Sequence, residues 1–272
     1  MLKEEFLRAM VAEDLGRGDL FSRISTSREI RSYIIAKSDG VFAGEEYVET
    51  FAKMYGLRLQ WEIHDGQAFS KGQKLLFISG DSKTILSLER SILDMVLHAS
   101  SIATLTAQYV KAIEGTGVKL LDTRKTRPLL RVFEKYAVRC GGGINHRMGL
   151  DDCLMLKDTH LKTIDDLTVF MQEVRQKIPF TSKVEIECET LEMAQKAMRA
   201  GADIVMCDNM SIAQTEEVVA YRNEAYPHIL LEASGNVNLE SIKAIAKTGV
   251  DAISSGALIH QSHWIDLSMK VE

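Results

Sequence analysis

The alternation of apolar and polar residues changes character once along this chain, close to Gly80. Before that point, an opening helical pattern is followed by short β-rich runs, such as residues 33–36 and 75–78. Turn dipeptides separate these runs, among them Asp39-Gly40 and Asp65-Gly66. The pattern therefore predicts a small N-terminal domain that mixes helices and strands.

The segment 81–114 contains neither Gly nor Pro, and its apolar residues recur at helical spacing. It predicts one or two long helices at a domain junction, with an N-terminal domain over 1–110 and a second domain over 111–272, whose last residues could pack back on the N-terminal domain. Arg90, Asp94 and His98 follow one another at i, i+4 and i+8, so they share one helix face. That face is expected to meet water or a polar partner.

Beyond Gly117 the rhythm becomes regular, and short apolar runs alternate with helical segments. The spacing of about 20 to 35 residues between runs is typical of βα units in a parallel sheet. The predicted strands are 119–122, 153–157, 184–187, 204–208, 229–232 and 252–254. Because they are fewer than the roughly eight strands of a full barrel, an open α/β barrel is the first prediction and a doubly wound open sheet the second.

Composition narrows the class of protein. The 272 residues are 46% hydrophobic and 26% charged, which is typical of a globular protein with a sizeable core. The net charge of −5 disfavours nucleic acid as a partner, since nucleic-acid binders usually carry a basic surface. Four cysteines without CxxC spacing indicate buried thiols in a reducing compartment. An acidic N-terminus and the absence of a long apolar run predict a cytoplasmic protein with no membrane partner.

Polar residues end nearly every predicted strand of the second half, where α/β proteins bind their ligands. Any one of these strand ends could consist of ordinary turn residues, but all six together indicate a site. In chain order they are 122–125, 157–158, Glu187, 208–209, 234–235 and 255–256. Cations come first, acids next, and Ser-Gly pairs last.

This order of charges predicts three kinds of contact. Clustered cations, including Arg124 and Arg147, repel one another unless an anionic ligand compensates, and arginine grips carboxylates with paired hydrogen bonds. Two acids on neighbouring strands suit Mg²⁺ or sugar hydroxyls. Ser-Gly turns suit a phosphate, because backbone N–H groups can face the anion. The triple glycine at 141–143 lets the backbone approach a ligand and places His146, which either binds a carboxylate or is an ordinary loop residue.

Six segments carry a resemblance to a known family. They read EDLGRGD at 13–19, DTRKT at 122–126, EKYAV at 134–138, GGGINHRMGL at 141–150, LKDTH at 156–160 and VEIE at 184–187. Together they resemble the quinolinate phosphoribosyltransferases, also called carboxylating nicotinate-nucleotide pyrophosphorylases. The resemblance covers nearly the whole chain, and its central block is highly specific.

The resemblance implies a reaction and an assembly. Quinolinate and phosphoribosyl pyrophosphate, with Mg²⁺ as cofactor, would give nicotinate mononucleotide, pyrophosphate and CO₂ in the de novo synthesis of NAD. It also implies an N-terminal α/β sandwich, a C-terminal open α/β barrel and a head-to-tail homodimer, with higher assembly left open. Arg90 would reach the neighbouring subunit's active site; the alternative is an Arg90–Asp94 pair in water.

The same resemblance assigns roles to individual residues. Those that would hold quinolinate are Arg124, His146, Arg147 and Lys157, with Arg90 from the neighbouring subunit. Those that would act on the donor are Lys125 at the pyrophosphate, and Glu187 and Asp208 at the ribose and Mg²⁺. Those that would complete substrate binding are Thr123, and Ser234, Gly235, Ser255 and Gly256 at the 5′-phosphate.

The sequence departs from the family pattern at Asp94, Ser101, Arg127 and Asn236. We expect Arg127 to alter the charge of the pocket and Asn236 to alter the phosphate loop. Two alternatives stay open: a related transferase with another anionic acceptor, and a binding or regulatory protein without turnover. Comparing quinolinate with nicotinate distinguishes the first, and ligand binding without pyrophosphate release would indicate the second.

Overall fold

The computed structural model describes residues 3–272. Helices α1 to α11 span, in chain order, Lys3–Leu15, Leu20–Ile24, Glu45–Tyr55, Ser82–Ala112, Arg131–Cys140, Asp158–Leu161, Leu167–Lys177, Leu191–Arg199, Ile212–Ala225, Ile242–Ala246 and Ala257–His260. Strands β1 to β12 span Glu29–Ala36, Gly40–Val41, Arg58–Trp61, Ala68–Phe69, Lys74–Asp81, Lys119–Leu121, Leu154–Leu156, Val184–Cys188, Ile204–Asp208, Leu230–Ser234, Ala252–Ser254 and Leu267–Val271. The chain forms two compact units.

The first unit contains the described residues up to 107, together with 128–142 and 261–272. Its main sheet is antiparallel and has the order β12-β1-β5-β3, while β2 and β4 form a separate pair. Strand β1 alternates exposed and buried residues, as expected for a sheet with one face on a core. The last strand of the chain thus completes a sheet that begins with the first strand.

The predicted long helix is confirmed as α4, a single helix of 31 residues. Its polar stripe is divided between two environments. Arg90 is exposed and pairs with the partly exposed Asp94, with 3.0 Å between Nη1 and Oδ1. His98 is buried, and its Nε2 lies 2.9 Å from a carboxylate oxygen of Glu134, on α5. At His98, the polar partner expected for this face is therefore a buried side chain of the protein itself, Glu134.

The second unit contains residues 108–127 and 143–260, and its sheet has the order β6-β11-β10-β9-β8-β7. Every strand pair in it is parallel. From β7 to β11 each strand pairs with the next in sequence, and β6 joins beside β11, so the winding never reverses as it does in a doubly wound sheet. The sheet is open between its edge strands β6 and β7. The predicted open α/β barrel is confirmed.

Period-two alternation decides which side chains of this sheet face the interior of the barrel. On β8 the acids Glu185 and Glu187 lie two residues apart, on one face and at different depths. Glu232 and Ser234 repeat this arrangement on β10, where Ser234 pairs in register with Asp208 on β9. Strands β8 and β10 therefore each place one side chain at the carboxyl end and a second side chain deeper in the barrel.

Two further predictions concern membranes and thiols. No helix within residues 3–272 has the length and apolar character needed to span a membrane. The four cysteines are free thiols; Cys188 and Cys207 are buried, whereas Cys140 and Cys153 are half-buried. The predicted burial of the thiols is therefore complete for two of the four cysteines.

Candidate active site

A cavity of about 480 Å³ opens at the carboxyl ends of the barrel strands. We call it the cationic pocket. It is lined by Thr123, Arg124, Lys125, His146, Arg147, Met155, Lys157, Glu187, Met206, Asp208, Asn209, Glu232, Ser234, Gly235, Asn236 and Ser254. Basic side chains that are far apart in sequence thus converge at one site, as the order of charges predicted.

Asp122 holds the turn that forms one side of the pocket. It follows β6 directly and its side chain is fully buried. One carboxylate oxygen accepts a hydrogen bond from the side-chain amide of Asn145 (2.6 Å), and the other accepts one from the backbone N–H of His146 (2.8 Å). These bonds fasten the turn that carries His146 and Arg147 to the end of a barrel strand.

His146 lies above two buried acids. Its Nε2 is 3.1 Å from an oxygen of Glu185 and 3.2 Å from an oxygen of Glu232. The three side chains also form a group that could in principle hold a metal ion. Nδ1 of His146 lies 2.7 Å from the backbone nitrogen of Arg147, and Nε2 faces the two carboxylates, where a ring N–H is expected. The three side chains therefore form a compact polar cluster whose ligand atoms lie within 4.8 Å of one another.

The charge of His146 follows from these neighbours. Burial lowers the pKa of its imidazole, but hydrogen bonds to Glu185 and Glu232, together with their charges, outweigh burial and raise the pKa to about 10. The backbone N–H at Nδ1 favours the neutral ring, yet a hydrogen bond of about 1 kcal/mol is weaker than attraction to two buried carboxylates. The charged imidazole is therefore favoured at neutral pH, and protonation of Nδ1 breaks its contact with the backbone N–H of Arg147. Burial also raises the pKa of Glu185 above its ordinary value, despite the opposing hydrogen bond from His146.

Two of the predicted cations are held by specific contacts. The guanidinium of Arg147 donates from Nη1 to the carbonyl oxygen of Cys153 (2.9 Å) and contacts the sulfur of Met155 through Nη2 (3.5 Å). Lys157, at the end of β7, forms an ion pair with Glu187 at the end of β8. The cationic pocket therefore holds its basic groups in place, an arrangement that reduces the cost of ordering them around an anion.

Glu187 and Asp208 provide the oxygen donors that Mg²⁺ prefers. Lys157 occupies one oxygen of Glu187, and the side chain of Asn209 donates to Asp208 (2.9 Å). Within residues 3–272 these two acids are not part of a three-ligand group. This arrangement fits Mg²⁺ as it commonly binds in proteins, through one or two carboxylates with substrate phosphate oxygens completing its shell.

The loop that follows β10, residues 234–236, has a tightly specified backbone. Gly235 has a φ of +92°, and a Cβ there would lie 2.3 Å from the side-chain oxygen of Asn209. Asn236 has a φ of +49°, in the left-handed region that asparagine tolerates better than most residues. Asn236 therefore adopts a left-handed backbone although it carries a side chain. We call 234–236 the phosphate loop, after its predicted ligand.

Three predicted residues are absent from the pocket lining. Ser255 is buried, and its hydroxyl donates to the carbonyl of Val237 (3.4 Å). Gly256 lies against the side chain of Lys125, whose Cδ would be 2.9 Å from an added Cβ. Arg90 belongs to the first unit. The predicted contacts of all three with substrate stay predictions, and Arg127, expected to alter the pocket's charge, is not among the lining residues either.

The pocket also contains residues that the sequence analysis did not select. They are Met155, Met206, Glu232 and Ser254. Asn209 and Asn236 also line the pocket; the sequence analysis had named the first at a strand end and the second as a departure from the family pattern. Ser254, rather than Ser255, faces the pocket and donates to the hydroxyl of Ser234 (3.0 Å). Period-two alternation could have identified them, because residues two positions apart on a strand face the same side. Two residues before a predicted strand-end position lie Met155, Met206, Glu232 and Ser254.

Comparison with known proteins agrees with this geometry. Models of the quinolinate phosphoribosyl transferase N-terminal and C-terminal domains match residues 19–100 and 102–270. A probable carboxylating nicotinate-nucleotide pyrophosphorylase of Synechocystis is 39% identical, with 98% of this chain and 92% of the relative covered. The corresponding protein of Bacillus subtilis is 37% identical, with 98% and 93% covered.

Solved structures give the same result. A nicotinate-nucleotide pyrophosphorylase from Francisella tularensis superposes with a TM-score of 0.91 at 33% identity, covering 100% of this chain and 98% of that one. The protein of the same name from Ehrlichia chaffeensis gives 0.93 at 30% identity, covering 100% and 99%. Sequence and fold agree over the full length, and this chain belongs to the quinolinate phosphoribosyltransferase family.

Proposed function

We propose that this protein converts quinolinate and phosphoribosyl pyrophosphate to nicotinate mononucleotide, pyrophosphate and CO₂, a step in the synthesis of NAD. The observation that carries the proposal is the cationic pocket itself. Arg124, Lys125, Arg147, Lys157 and a positively charged His146 gather at one cavity of a protein whose net charge is −5. These cations outnumber the acids that line the same cavity, Glu187, Asp208 and Glu232, and the remaining positive charge favours a polyanionic ligand.

The acceptor side of the reaction uses the cations on the β6 and β7 side of the pocket. Arg124, Arg147 and Lys157 bind the two carboxylates of quinolinate, and the charge of His146 adds to their field. Binding at two carboxylates fixes the ring so that its nitrogen faces C1 of the ribose. Orientation of this kind can contribute several kcal/mol to lowering a barrier, on the order of 7 in the best cases.

The donor side uses the strand ends that follow. Lys125 contacts the pyrophosphate, while Glu187 and Asp208 orient the ribose hydroxyls and stabilise the positive charge that develops at C1. The phosphate loop and Ser254 surround the 5′-phosphate. Asp208 and Glu187 would hold Mg²⁺, which would supply positive charge that stabilises the leaving pyrophosphate.

The reaction needs no protein nucleophile. The quinolinate nitrogen forms the new bond to C1 as the bond from C1 to pyrophosphate breaks. The ring then carries a positive charge and becomes an electron sink, so the neighbouring carboxylate leaves as CO₂ and a proton takes its place. The arginines act by positioning the ring, and the acids act on the sugar.

We also propose a cytoplasmic homodimer in which Arg90 serves the active site of the neighbouring subunit. Its side chain is 59% exposed, and its ion pair with the partly exposed Asp94 is of a kind usually worth less than about 1 kcal/mol. Arg90 can therefore exchange this pair for a substrate carboxylate. The test mixes two inactive variants, Arg90→Ala and Lys125→Ala. Recovery of activity on mixing supports a shared site, whereas an active Arg90→Ala protein alone contradicts it.

The reaction is tested by incubating the protein with quinolinate, phosphoribosyl pyrophosphate and Mg²⁺, and measuring nicotinate mononucleotide and CO₂. Nicotinate in place of quinolinate serves as the control acceptor. Equal turnover of nicotinate would point to another transferase specificity. Binding of both substrates without release of pyrophosphate would point to a protein that has lost catalysis.

A further inference from the structure

Two asparagines with left-handed backbone lie side by side in the cationic pocket. Asn209 (φ +54°) follows β9, and Asn236 (φ +49°) lies in the phosphate loop after β10. Their strands are neighbours, since Asp208 pairs in register with Ser234. The backbone N–H of Asn209 also donates to the carbonyl of Ser234 (2.9 Å). The two strand ends are therefore joined through their backbones before any side chain is considered.

The side chains add a directed chain of hydrogen bonds. The amide of Asn236 donates to the side-chain oxygen of Asn209 (3.0 Å), and the amide of Asn209 donates to Asp208 (2.9 Å). We call Asn236, Asn209 and Asp208 the amide relay. An ionised carboxylate only accepts hydrogen bonds, so Asn209 must present its NH₂ group to Asp208 and its oxygen to Asn236. Asp208 thus sets the orientation of both amides.

The relay is packed against the phosphate loop itself. At Gly235 a Cβ would be 2.3 Å from the oxygen and 2.5 Å from the Cγ of the Asn209 side chain. Those atoms cannot be displaced without breaking the relay, because the Asn209 amide is held at both ends. A movement of the loop at Gly235 or Asn236 is therefore transmitted to Asn209, and from there to Asp208.

We infer that Asn236 is a positioning residue that couples the phosphate loop to the ribose-orienting carboxylate of Asp208. The inference rests on the proposed function, in which the loop receives the 5′-phosphate and Asp208 faces the sugar. When the donor's phosphate orders the loop, Asn236 holds Asn209, and Asn209 holds the carboxylate toward the ribose. The relay gives the site a preference for ribose donors that carry a 5′-phosphate.

The test is Asn236→Gly, which removes the amide but keeps a residue that adopts positive φ without strain. We expect kcat/KM for phosphoribosyl pyrophosphate to fall roughly three- to tenfold, the range for loss of one hydrogen bond. KM for quinolinate, measured at saturating donor, should stay within about twofold of wild type, because one relay bond is all that changes. A purely structural role would raise KM for quinolinate as well and would lower the melting temperature.

A second variant provides a test that does not depend on comparing the two substrates. Asn209→Gly removes the centre of the relay, and again tolerates the left-handed backbone. If the relay acts as one unit, adding Asn236→Gly to Asn209→Gly causes no further loss, whereas independent residues give additive losses. Additive losses, or an Asn236→Gly protein with wild-type kinetics, overturn the inference. A wild-type protein that makes no nicotinate mononucleotide overturns the proposed function, and with it the relay.

Discussion

Replacing Asp122 with Asn tests how the turn that carries His146 and Arg147 is held. The buried carboxylate of Asp122 accepts the side-chain amide of Asn145 at 2.6 Å and the backbone N–H of His146 at 2.8 Å. Asparagine has the same shape but only one oxygen. Its NH₂ group must therefore face one of these two donors, in a position from which water is excluded.

The size of the effect follows from those two bonds. A hydrogen bond to a charged acceptor contributes about 1.5–3 kcal/mol, and a donor left buried without an acceptor costs a similar amount. We therefore expect Asp122→Asn to lower the free energy of unfolding by about 2–4 kcal/mol. Displacing Arg147 by about 1 Å should also lower kcat/KM for quinolinate by roughly two orders of magnitude.

Both effects can be measured against a matched control. Unfolding in urea gives the stability change, and initial rates with varied quinolinate give kcat/KM. The control is Asp152→Asn, in the same region of the chain, where an exposed carboxylate accepts the backbone N–H of Met148 at 2.9 Å. Solvent can replace that bond, so the control should stay close to wild type. Equal behaviour of the two variants would refute the role assigned to Asp122.

Three further predictions test the charge and the backbone of the protein. Arg147→Ala should reduce kcat/KM for quinolinate by orders of magnitude, and near-normal kinetics would remove Arg147 from the site. The folded protein holds the His146 proton up to a pKa of about 10, against 6.5 for an ordinary histidine, and burial raises the pKa of Glu185 as well. Above pH 6.5 the native state thus keeps a proton at His146 that the unfolded state loses. The stability contributed by His146 is therefore fully present below pH 6.5 and is lost as pH rises toward about 10, at up to about 1.4 kcal/mol per pH unit. Urea unfolding across this range measures the slope, and constant stability would contradict the assigned charge of His146. Leu129 has a φ of +65° and is 84% exposed, so Leu129→Gly should raise the free energy of unfolding by about 0.5–1 kcal/mol as strain is relieved. Leu150→Gly, at an exposed leucine without positive φ, should not raise it.

Much of the fold could be predicted from local pattern. The six barrel strands were recognised because parallel strands covered on both faces are short apolar runs separated by helices. Helix α4 was recognised because 34 residues without Gly or Pro carry apolar side chains at helical spacing. These signals lie within one element, so no knowledge of distant residues was needed.

The placement of some elements could not be predicted in this way. A return of the last residues to the N-terminal domain was an expectation, but the local pattern does not show that β12 pairs with β1, with Leu267 opposite Ala36. Helix α5 joins the first unit although barrel strands precede and follow it in sequence. Neither placement can be recognised from the local pattern, because a helix or strand with one apolar face can pack against any complementary surface.

At the site, the sequence alone determined which chemical groups the carboxyl ends of the barrel strands would offer. Parallel strands bring those ends to one edge, so formation of the barrel necessarily places Arg124, Lys157 and Glu187 near one another. Only the tertiary structure decided what lies beneath and between them: the acids Glu185 and Glu232 under His146, and the contact between the loops after β9 and β10. Those contacts depend on strand register and on packing within a few tenths of an ångström. A one-residue shift would reverse every inward side chain, and the order of residues along a single strand does not fix that register.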